Sequence, residues 1–185
     1  MGRLQELLRE AGVFQYGVVS TDEVDFLPEV RAMCEANTCR RYGAAWGCPP
    51  AVGTVEECRA RLGQYEKLVV FTVKQDLEDS FDAEGMAAGG KRLLEACNAI
   101  DDGLWEAFGG QYQVLASGGC GRCEDCTYPH APCRCPEKAH HSLAAYGILV
   151  SKLARQAGVK YNNGPNTVTY FGAVACHPDL LDRFL

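Results

Sequence analysis

Five cysteines crowd into a short, glycine-rich stretch and are the residues with the clearest capacity for chemistry. Cys120, Cys123 and Cys126 follow one another at intervals of three residues, and Cys133 and Cys135 come soon after. Thiols at this spacing wrap a loop around one centre, and flanking glycines let backbone N–H groups turn toward sulfur, as in ferredoxin-type loops. A more distant fourth thiolate completes such a set. The spacing therefore predicts a 4Fe–4S cluster held by Cys120, Cys123, Cys126 and Cys133.

Zinc and a redox-active dithiol are the alternatives for this stretch. Structural zinc sites more often use two separated Cys-x-x-Cys pairs, because a tetrahedral ion is well served by two pairs. A thioredoxin-like dithiol would use only two of the cysteines and leave the others unexplained. The sequence thus favours a cluster and keeps zinc as the alternative.

The fourth ligand is a choice between two neighbouring cysteines. Cys135 is followed by Pro136, the Cys-Pro pairing that ends bacterial ferredoxin runs, while Cys133 follows Pro132. Thiols two residues apart normally point in different directions once the segment departs from an ideal strand. One of the two is therefore expected to be free, and we predict Cys133 as the ligand.

A second set of three cysteines, Cys34, Cys39 and Cys48, lies within fifteen residues nearer the N-terminus. Cys48 precedes two prolines, and Cys-Pro is common where a ligand sits on backbone that cannot continue a helix. Nearby arginines would stabilise thiolates or an anionic cluster. These are Arg31, Arg40 and Arg41. The alternative interpretation is that Cys34 faces the core from a helix and Cys48 is a loop residue.

With only three thiolates, this second set predicts an open metal site. A three-thiolate site leaves one metal position for water, a small ligand or a partner's side chain, whereas a four-cysteine structural site is closed. Trp46, two residues before Cys48, would shield the site from water. The competing hypothesis is that Cys58, or the pair Cys176–His177, folds back and closes the site.

The remaining cysteines are predicted to be core residues, since free cysteine is often buried. They are Cys58, Cys97 and Cys176. The histidines near the glycine-rich stretch are interpreted as solvated loop or helix-cap residues and not as ligands. They are His130, His140 and His141.

Alternating strand and helix patterns predict the elements that must position these cysteines. Apolar, β-branched runs predict strands over residues 14–19, 67–74, 111–116 and 166–174. Apolar residues at three- and four-residue spacing predict an N-terminal helix ended by Gly12 and helices over 29–36, 54–65, 84–108 and 142–156. The pattern indicates an α/β fold, a single domain over residues 1–185 with two cysteine-rich metal-binding loops. Its sheet is expected to be mostly parallel or mixed, with about four strands flanked by helices, and parallel pairing is favoured.

Composition and charge exclude several classes of function. The chain of 185 residues carries 18 Lys and Arg against 24 Asp and Glu, a net charge of −6, so it offers no basic surface for nucleic acid or an anionic membrane. No apolar run is long enough to span a bilayer, and acidic residues near the start argue against a signal or transit peptide. We therefore expect a cytoplasmic protein with reduced thiols. The odd count of 11 cysteines then argues for metal binding over disulfides.

The two cysteine sets together resemble a known, largely prokaryotic family, catalogued as domain of unknown function 2284 and described as predicted metal-binding proteins. The resemblance rests on Trp46–Gly–Cys48–Pro–Pro and on Cys120-x2-Cys123-x2-Cys126 with Pro132–Cys133–Arg134, and it extends to the stretches 145–148 and 169–172. It implies a metal or iron–sulfur protein of a kind common in anaerobes, and it carries no reaction. The positions that match are Cys34, Cys39, Cys48, Cys120, Cys123, Cys126 and Cys133.

Three functions stand as hypotheses. The favoured one is a cytoplasmic 4Fe–4S protein of redox metabolism, an electron carrier or redox-enzyme component that holds one cluster or two and works with a redox partner protein. The alternative is a zinc-stabilised, non-enzymatic interaction module in which the cysteines staple loops. The third is an enzyme whose open three-cysteine site takes a substrate. The sequence names neither a substrate nor an oligomeric state.

Overall fold

A mixed five-stranded sheet forms the centre of the protein in a computed structural model that describes residues 3–182. Residues 1, 2 and 183–185 of the predicted 1–185 domain lie outside the described part. The strands are β1 (Gln15–Ser20), β2 (Lys67–Asp76), β3 (Tyr112–Ala116), β4 (His141–Ser142) and β5 (Thr167–Cys176). Their order across the sheet is β1-β2-β5-β3-β4. The two-residue strand β4 is an addition to the four strands that the sequence predicts.

Three of the four strand pairings are antiparallel, and only β3 and β4 run parallel. The α/β class and the mixed-sheet alternative are thus confirmed, while the preference for parallel pairing is wrong. A helix between two strands permits a parallel crossover but does not require one. Here β2 pairs with β5 over ten residues, from Lys67 opposite Cys176 to Asp76 opposite Thr167, and this long pairing makes the centre of the sheet antiparallel.

Helices cover both faces of the sheet. They are α1 (Arg3–Glu10), α2 (Pro28–Glu35), α3 (Val55–Leu62), α4 (Ala83–Phe108), α5 (Val150–Gln156) and α6 (Pro178–Asp182). One face packs against α1, α4 and α6, and the other packs against α3, α5 and a 3₁₀ helix at Ala144–Tyr146. As far as the described residues extend, none of the helices is long and apolar enough to cross a membrane.

Strand β2 shows how the two cores share the sheet. Val69, Phe71 and Val73 belong to the core under α4, whereas Leu68 and Val70 belong to the core on the opposite face. Each of these side chains is at most 1% exposed. Side chains alternate between the faces of a strand, and because both faces are covered the strand has a nearly continuous apolar sequence.

Local signals mark the start of α3 and the end of α4, while α3 ends at Leu62, before the predicted residue 65. Thr54 and Glu57 form a capping box at the start of α3, in which each side chain accepts a hydrogen bond from the backbone N–H of the other residue. Helix α4 ends at Gly109, which adopts a left-handed conformation suited to glycine.

The helix predicted over residues 142–156 is wrong in its first half. The chain there forms the end of β4 and the 3₁₀ helix, and α5 begins only at Val150. Gly147 has a φ of +77° and accepts a 2.8 Å hydrogen bond from the N–H of Leu27. A Cβ on Gly147 would lie 2.8 Å from the Leu27 carbonyl oxygen, so this backbone contact requires glycine. A tertiary contact therefore overrides the helical periodicity.

The two cysteine sets meet beside the end of β3. We call residues 117–140, which join β3 to β4, the cysteine loop, and residues 34–50, which begin in the last turn of α2, the N-terminal cysteine segment. Leu115 pairs with His141 and Ala116 pairs with Ser142, so the cysteine loop leaves and rejoins the sheet at one place. The N–H of Ser142 also donates to the carbonyl of Gly47 at 2.9 Å, which draws the N-terminal cysteine segment alongside β4.

Candidate metal centre

A single small cavity of about 30 Å³ is lined by every cysteine of the cysteine loop. These cysteines are Cys120, Cys123, Cys126, Cys133 and Cys135, and all are free thiols. Trp46 and Arg41 of the N-terminal cysteine segment also line the cavity. Five soft donors around one cavity are the donor chemistry that a zinc ion or an iron–sulfur cluster uses.

The cysteines surround the cavity without converging on one point. Within residues 3–182, no three Cys, His, Asp or Glu side chains lie close enough together to hold one metal ion. Cys133 and Cys135 line the cavity alike, and both are partly buried. Metal binding would therefore draw the thiols of the cysteine loop inward.

The sulfur of Cys120 already has the surroundings of a thiolate ligand. The backbone N–H groups of Arg122 and His140 hydrogen-bond this sulfur. Burial raises the pKa of Cys120, and the neighbouring thiols of Cys133 and Cys123 raise it further, whereas the two N–H groups lower it. Hydrogen bonds to cluster sulfur are one of the means by which proteins set a cluster's reduction potential.

A buried carboxylate on α4 anchors the cysteine loop from behind. Asp101 is 2% exposed, and its carboxylate pairs with the guanidinium of Arg122, which lies between two predicted ligands. Asp101 also accepts a 2.6 Å hydrogen bond from the Tyr112 hydroxyl and lies 3.1 Å from His140 Nε2. Burial alone would raise the pKa of Asp101, but the hydrogen bonds from His140, Tyr112 and Arg122 hold it below its usual range. Asp101 is therefore a buried anion with several partners.

Arg122 extends the same anchor to the far end of the cysteine loop. Its Nε donates to the carbonyl of Lys138 at 3.2 Å, and its Nη1 donates to Asp102 at 3.0 Å. The ammonium of Lys138 also pairs with Asp102 at 2.8 Å. Asn98, one turn earlier on α4, donates to the carbonyl of Gly121 at 3.1 Å. Helix α4 thus holds both ends of the cysteine loop.

The prediction of solvated histidines is wrong for two of the three. His140 is 1% exposed against Asp101, and its Nδ1 has no hydrogen-bond partner among the described residues. His141 is partly buried, with Nδ1 2.8 Å from the hydroxyl of Tyr146. His130 is exposed, as predicted. Strand β4, which periodicity did not predict, is what carries these two histidines into the interior.

Trp46 joins the two cysteine sets. Its indole Nε1 donates to the Thr127 hydroxyl and to the carbonyl of Ala131, each at 3.2 Å. Its ring meets that of Tyr128 edge to face, with centroids 4.9 Å apart. Its backbone N–H lies 3.5 Å from the sulfur of Cys126. Trp46, which was predicted to shield the N-terminal cysteine set, therefore packs against the cysteine loop.

Cys48 lies at the contact between the two sets. It is 4% exposed, and a Cβ added to Gly119 would lie 3.1 Å from its sulfur. The preceding residue, Gly47, packs so tightly on the carbonyl of His140 that a side chain there would collide with it. The thiol of Cys48 is thus held against the backbone immediately before Cys120.

Cys34 and Cys39 lie within electrostatic range of Cys48. The pKa of Cys48 is raised to about 12, chiefly by burial. The thiols of Cys39, Cys34 and Cys120 also raise this pKa, whereas Arg41 lowers it. Burial also raises the pKa of Cys34, opposed by Arg31. The three predicted ligands therefore lie within electrostatic range of one another, and one of the three arginines, Arg41, lines the cavity.

The other two arginines occupy different positions. Arg31 donates to the carbonyl oxygens of Ala145 at 2.6 Å and Gly53 at 2.7 Å, so its guanidinium joins α2 to backbone outside both cysteine sets. Arg40 is exposed, with a φ of +58°. The guanidinium of Arg31 therefore binds backbone carbonyl groups.

The three predicted core cysteines are confirmed as buried. Cys58, Cys97 and Cys176 are each 0% exposed. Cys176 pairs with Tyr112 at the start of β3, whereas the cysteine loop leaves the other end of β3. Four residues of strand separate these ends by about 13 Å. The Cys176–His177 pair therefore lies away from both cysteine sets.

Sequence reasoning missed the polar anchor on α4. Asp101 follows Cys97 by four residues and lies on the same buried face as Ile100 and Leu104. An acidic residue on an apolar helix face is a signal of a buried partner. Its partner, Arg122, had no such signal, because it appears as one charge within a polar loop.

Comparison with protein families matches residues 17–175 of the chain to the family described as predicted metal-binding protein, domain of unknown function 2284. Comparison with the curated proteins and with the solved structures finds no significant match.

Proposed function

Because the chain belongs to the family of predicted metal-binding proteins described as domain of unknown function 2284, we propose that it is an iron–sulfur protein of redox metabolism. It would hold a 4Fe–4S cluster in the cysteine loop and serve as an electron carrier or a component of a redox enzyme. The observation that supports this most is the set of five free cysteines that line one cavity. The ligands predicted from spacing are Cys120, Cys123, Cys126 and Cys133.

A bound cluster would supply one-electron redox chemistry, and the chain's own residues would tune and protect it. The N–H groups of Arg122 and His140 at Cys120 would stabilise the negative charge of a thiolate. Trp46 covers one wall of the cavity and limits the access of water. Arg41, which also lines the cavity, would offset the charge of an anionic cluster.

The cytoplasm is the compartment that this proposal requires. All cysteines of the described chain are free thiols, and a reducing compartment keeps thiols in that state. An electron carrier also needs a redox partner protein. The net charge of −6 argues against binding to nucleic acid or to an anionic membrane surface.

A zinc-stabilised interaction module is the second candidate, and the packing of the cysteine loop favours it. Neither hydrophobic core contains a residue between 117 and 140, so the cysteine loop depends on polar anchors. Segments without a core of their own are commonly stabilised by a structural metal. A zinc ion bound by four thiolates would satisfy that need without any redox chemistry.

Metal analysis of protein purified without oxygen tests the two candidates. The iron–sulfur proposal expects a brown protein with matched amounts of iron and acid-labile sulfide. A colourless protein with stoichiometric zinc and no sulfide would overturn it in favour of the zinc module. Protein that binds neither iron nor zinc, after anaerobic reconstitution with each, would overturn both.

A further inference from the structure

Cys120 lies between the two cysteine sets, and its position suggests a different division of ligands from the one predicted by spacing. We propose that Cys120 is the fourth ligand of a metal centre formed with Cys34, Cys39 and Cys48. The rest of the cysteine loop then supplies a second complete set, which is Cys123, Cys126, Cys133 and Cys135. This inference rests on the proposed function only in that thiolates bind a metal, and it holds for iron–sulfur clusters and zinc alike.

The contact between Cys48 and Gly119 is the first support. Cys48 is buried, and its sulfur lies against the Gly119 backbone, where a Cβ would approach it to 3.1 Å. Gly119 has a φ of +89°, a conformation that glycine adopts without strain. The backbone of Gly119, the residue immediately before Cys120, therefore lies against the sulfur of Cys48.

The peptide of His140 is the second support, because both sulfur-bearing segments are fixed to it. Its N–H donates to the sulfur of Cys120, and its carbonyl packs against Gly47, the residue before Cys48. The side chain of His140 is held in turn by Asp101. Cys48 and Cys120 thus share one rigid support, at the buried side of the site.

Charge interactions connect Cys120 with both sets, since Cys133 and Cys123 of the cysteine loop also raise its pKa. Cys48 lies within electrostatic range of Cys34, Cys39 and Cys120, and Cys120 is the one cysteine of the cysteine loop among its strongest neighbours. Cys126 lies on another side, 3.5 Å from the backbone N–H of Trp46. Among the thiols, Cys120 is therefore intermediate between the two sets, whereas Cys126 meets the N-terminal cysteine segment through the backbone of Trp46.

The count of ligands gives the third support. Division by sequence leaves three cysteines in the N-terminal cysteine segment and five in the cysteine loop, so one centre lacks a thiolate and the other has one too many. Assigning Cys120 to the first centre gives two closed sets of four, the ligand number of structural zinc and of 4Fe–4S clusters. Two-cluster ferredoxins have the same crossing, since one cysteine of a run ligates the other cluster.

Serine variants of the full chain test the assignment with Co²⁺ as the probe. Sulfur-to-cobalt charge-transfer absorption reports thiolate ligands whatever the native metal is. Cys48→Ser marks the loss of a ligand at the first centre, and Cys126→Ser marks the loss at the second. Because both proposed centres have four thiolates, Cys120→Ser is combined with each of these two variants. We expect Cys120→Ser with Cys48→Ser to keep one intact four-thiolate centre, and Cys120→Ser with Cys126→Ser to leave none. Cys135→Ser with Cys126→Ser should again keep one.

The inference would be overturned if Cys120→Ser with Cys126→Ser kept one intact centre while Cys120→Ser with Cys48→Ser kept none, or if Cys135→Ser had the wild-type spectrum. Added imidazole provides a second readout: it should perturb the Cys120→Ser spectrum, where a position has opened, and leave the wild-type spectrum unchanged. A wild-type response to imidazole would mean that the first centre has only three thiolates. Wild-type protein that binds no Co²⁺ would overturn metal binding itself, which is a failure of the proposed function. Serine is nearly isosteric with cysteine, and far-UV circular dichroism confirms that each variant is folded.

Discussion

Asp101 on α4 forms a buried ion pair with Arg122 of the cysteine loop, and their side chains are only 3% and 11% exposed. Such a pair contributes little net stability compared with apolar packing, but removing one partner leaves the other charge buried and is costly. Because Arg122 lies between Cys120 and Cys123, the ion pair fixes the place of the thiols relative to the sheet.

Asp101→Asn is expected to lower the free energy of unfolding by about 3 kcal/mol, since Arg122 and His140 lose a buried anion but Arg122 keeps Asp102. Urea denaturation of the metal-free protein measures the loss. Asp102→Asn is the matched control, because its side chain is 53% exposed and its loss should cost less than about 1 kcal/mol. Equal losses for the two variants would show that Asp101 is not the anchor.

Two adjacent glycines provide a matched test of the contact between the cysteine sets. Gly118 and Gly119 have φ values of +90° and +89°, so an alanine at either position should cost about 1–2 kcal/mol of stability. Only at Gly119 would the new Cβ also press on the sulfur of Cys48. We expect Gly119→Ala alone to weaken metal binding, measured by competition with a chelator. Equal affinities in the two variants would contradict the contact.

Trp46→Phe should destabilise the protein by about 1–2 kcal/mol, because the indole N–H bonds to Thr127 and Ala131 are lost. It should also speed the release of metal to a chelator, since the ring covers the cavity. Trp105→Phe keeps an aromatic ring beside Lys138 and serves as the control, with an unchanged release rate expected. Release at the wild-type rate from Trp46→Phe would argue against a covering position.

His141 predicts a loss of stability in mild acid. Nδ1 of His141 lies 2.8 Å from the Tyr146 hydroxyl, which also accepts a hydrogen bond from the guanidinium of Arg61. Burial, together with Arg61 and His140, lowers the pKa of His141 to about 4. The unfolded chain takes up this proton first, near pH 6.5, so stability falls as the pH drops from about 6.5 toward 4, by on the order of 2–3 kcal/mol.

Urea denaturation of metal-free protein across that pH range measures the effect. His141→Gln does not titrate, so its unfolding free energy should change less between about pH 6.5 and 4 than that of the wild type. If the unfolding free energies of the two proteins change equally with pH, His141 takes up its proton as readily in the folded state as in the unfolded state, which would contradict the prediction.

Cys123→Ala should lose metal and destabilise the protein, because the binding energy of a metal ligated in the folded state is also folding energy. Cys97→Ala should retain metal, since Cys97 is fully buried in the core under α4, and should cost about 1–2 kcal/mol. Elemental analysis of the metal content of the two variants shows which of the two residues is a metal ligand. Loss of metal from Cys97→Ala, with retention in Cys123→Ala, would mean that the ligand assignment is wrong.

Local patterns predicted most elements of the fold, because the signals lie within each element. The capping box of Thr54 and Glu57 and the apolar run from Lys67 belong to this class. Strand direction depends on which segments meet in space, and β4 is too short for any periodicity to reveal. The break at Gly147 depends on the backbone of Leu27, more than a hundred residues away.

The candidate site divides in the same way. The spacing of Cys120, Cys123 and Cys126 is a local pattern, and it indicated the loop that lines the cavity. The ion pair of Asp101 with Arg122 and the contact of Cys48 with Gly119 join residues from different elements. No spacing rule reports such contacts, so the sequence indicated the donors but not what holds them together.

The parallel pairing of β3 with β4 sets the effective concentration of the thiols. The pairing of Leu115 with His141 and of Ala116 with Ser142 holds the two strands that flank the cysteine loop about 5 Å apart. A free peptide of the same sequence would lose about 3 kcal/mol of chain entropy on closing a ring of roughly 24 residues before it could wrap a metal. In the folded protein that closure is already complete. The affinity of the cysteine loop for metal is therefore partly a property of hydrogen bonds in the sheet, made by residues that carry no sulfur.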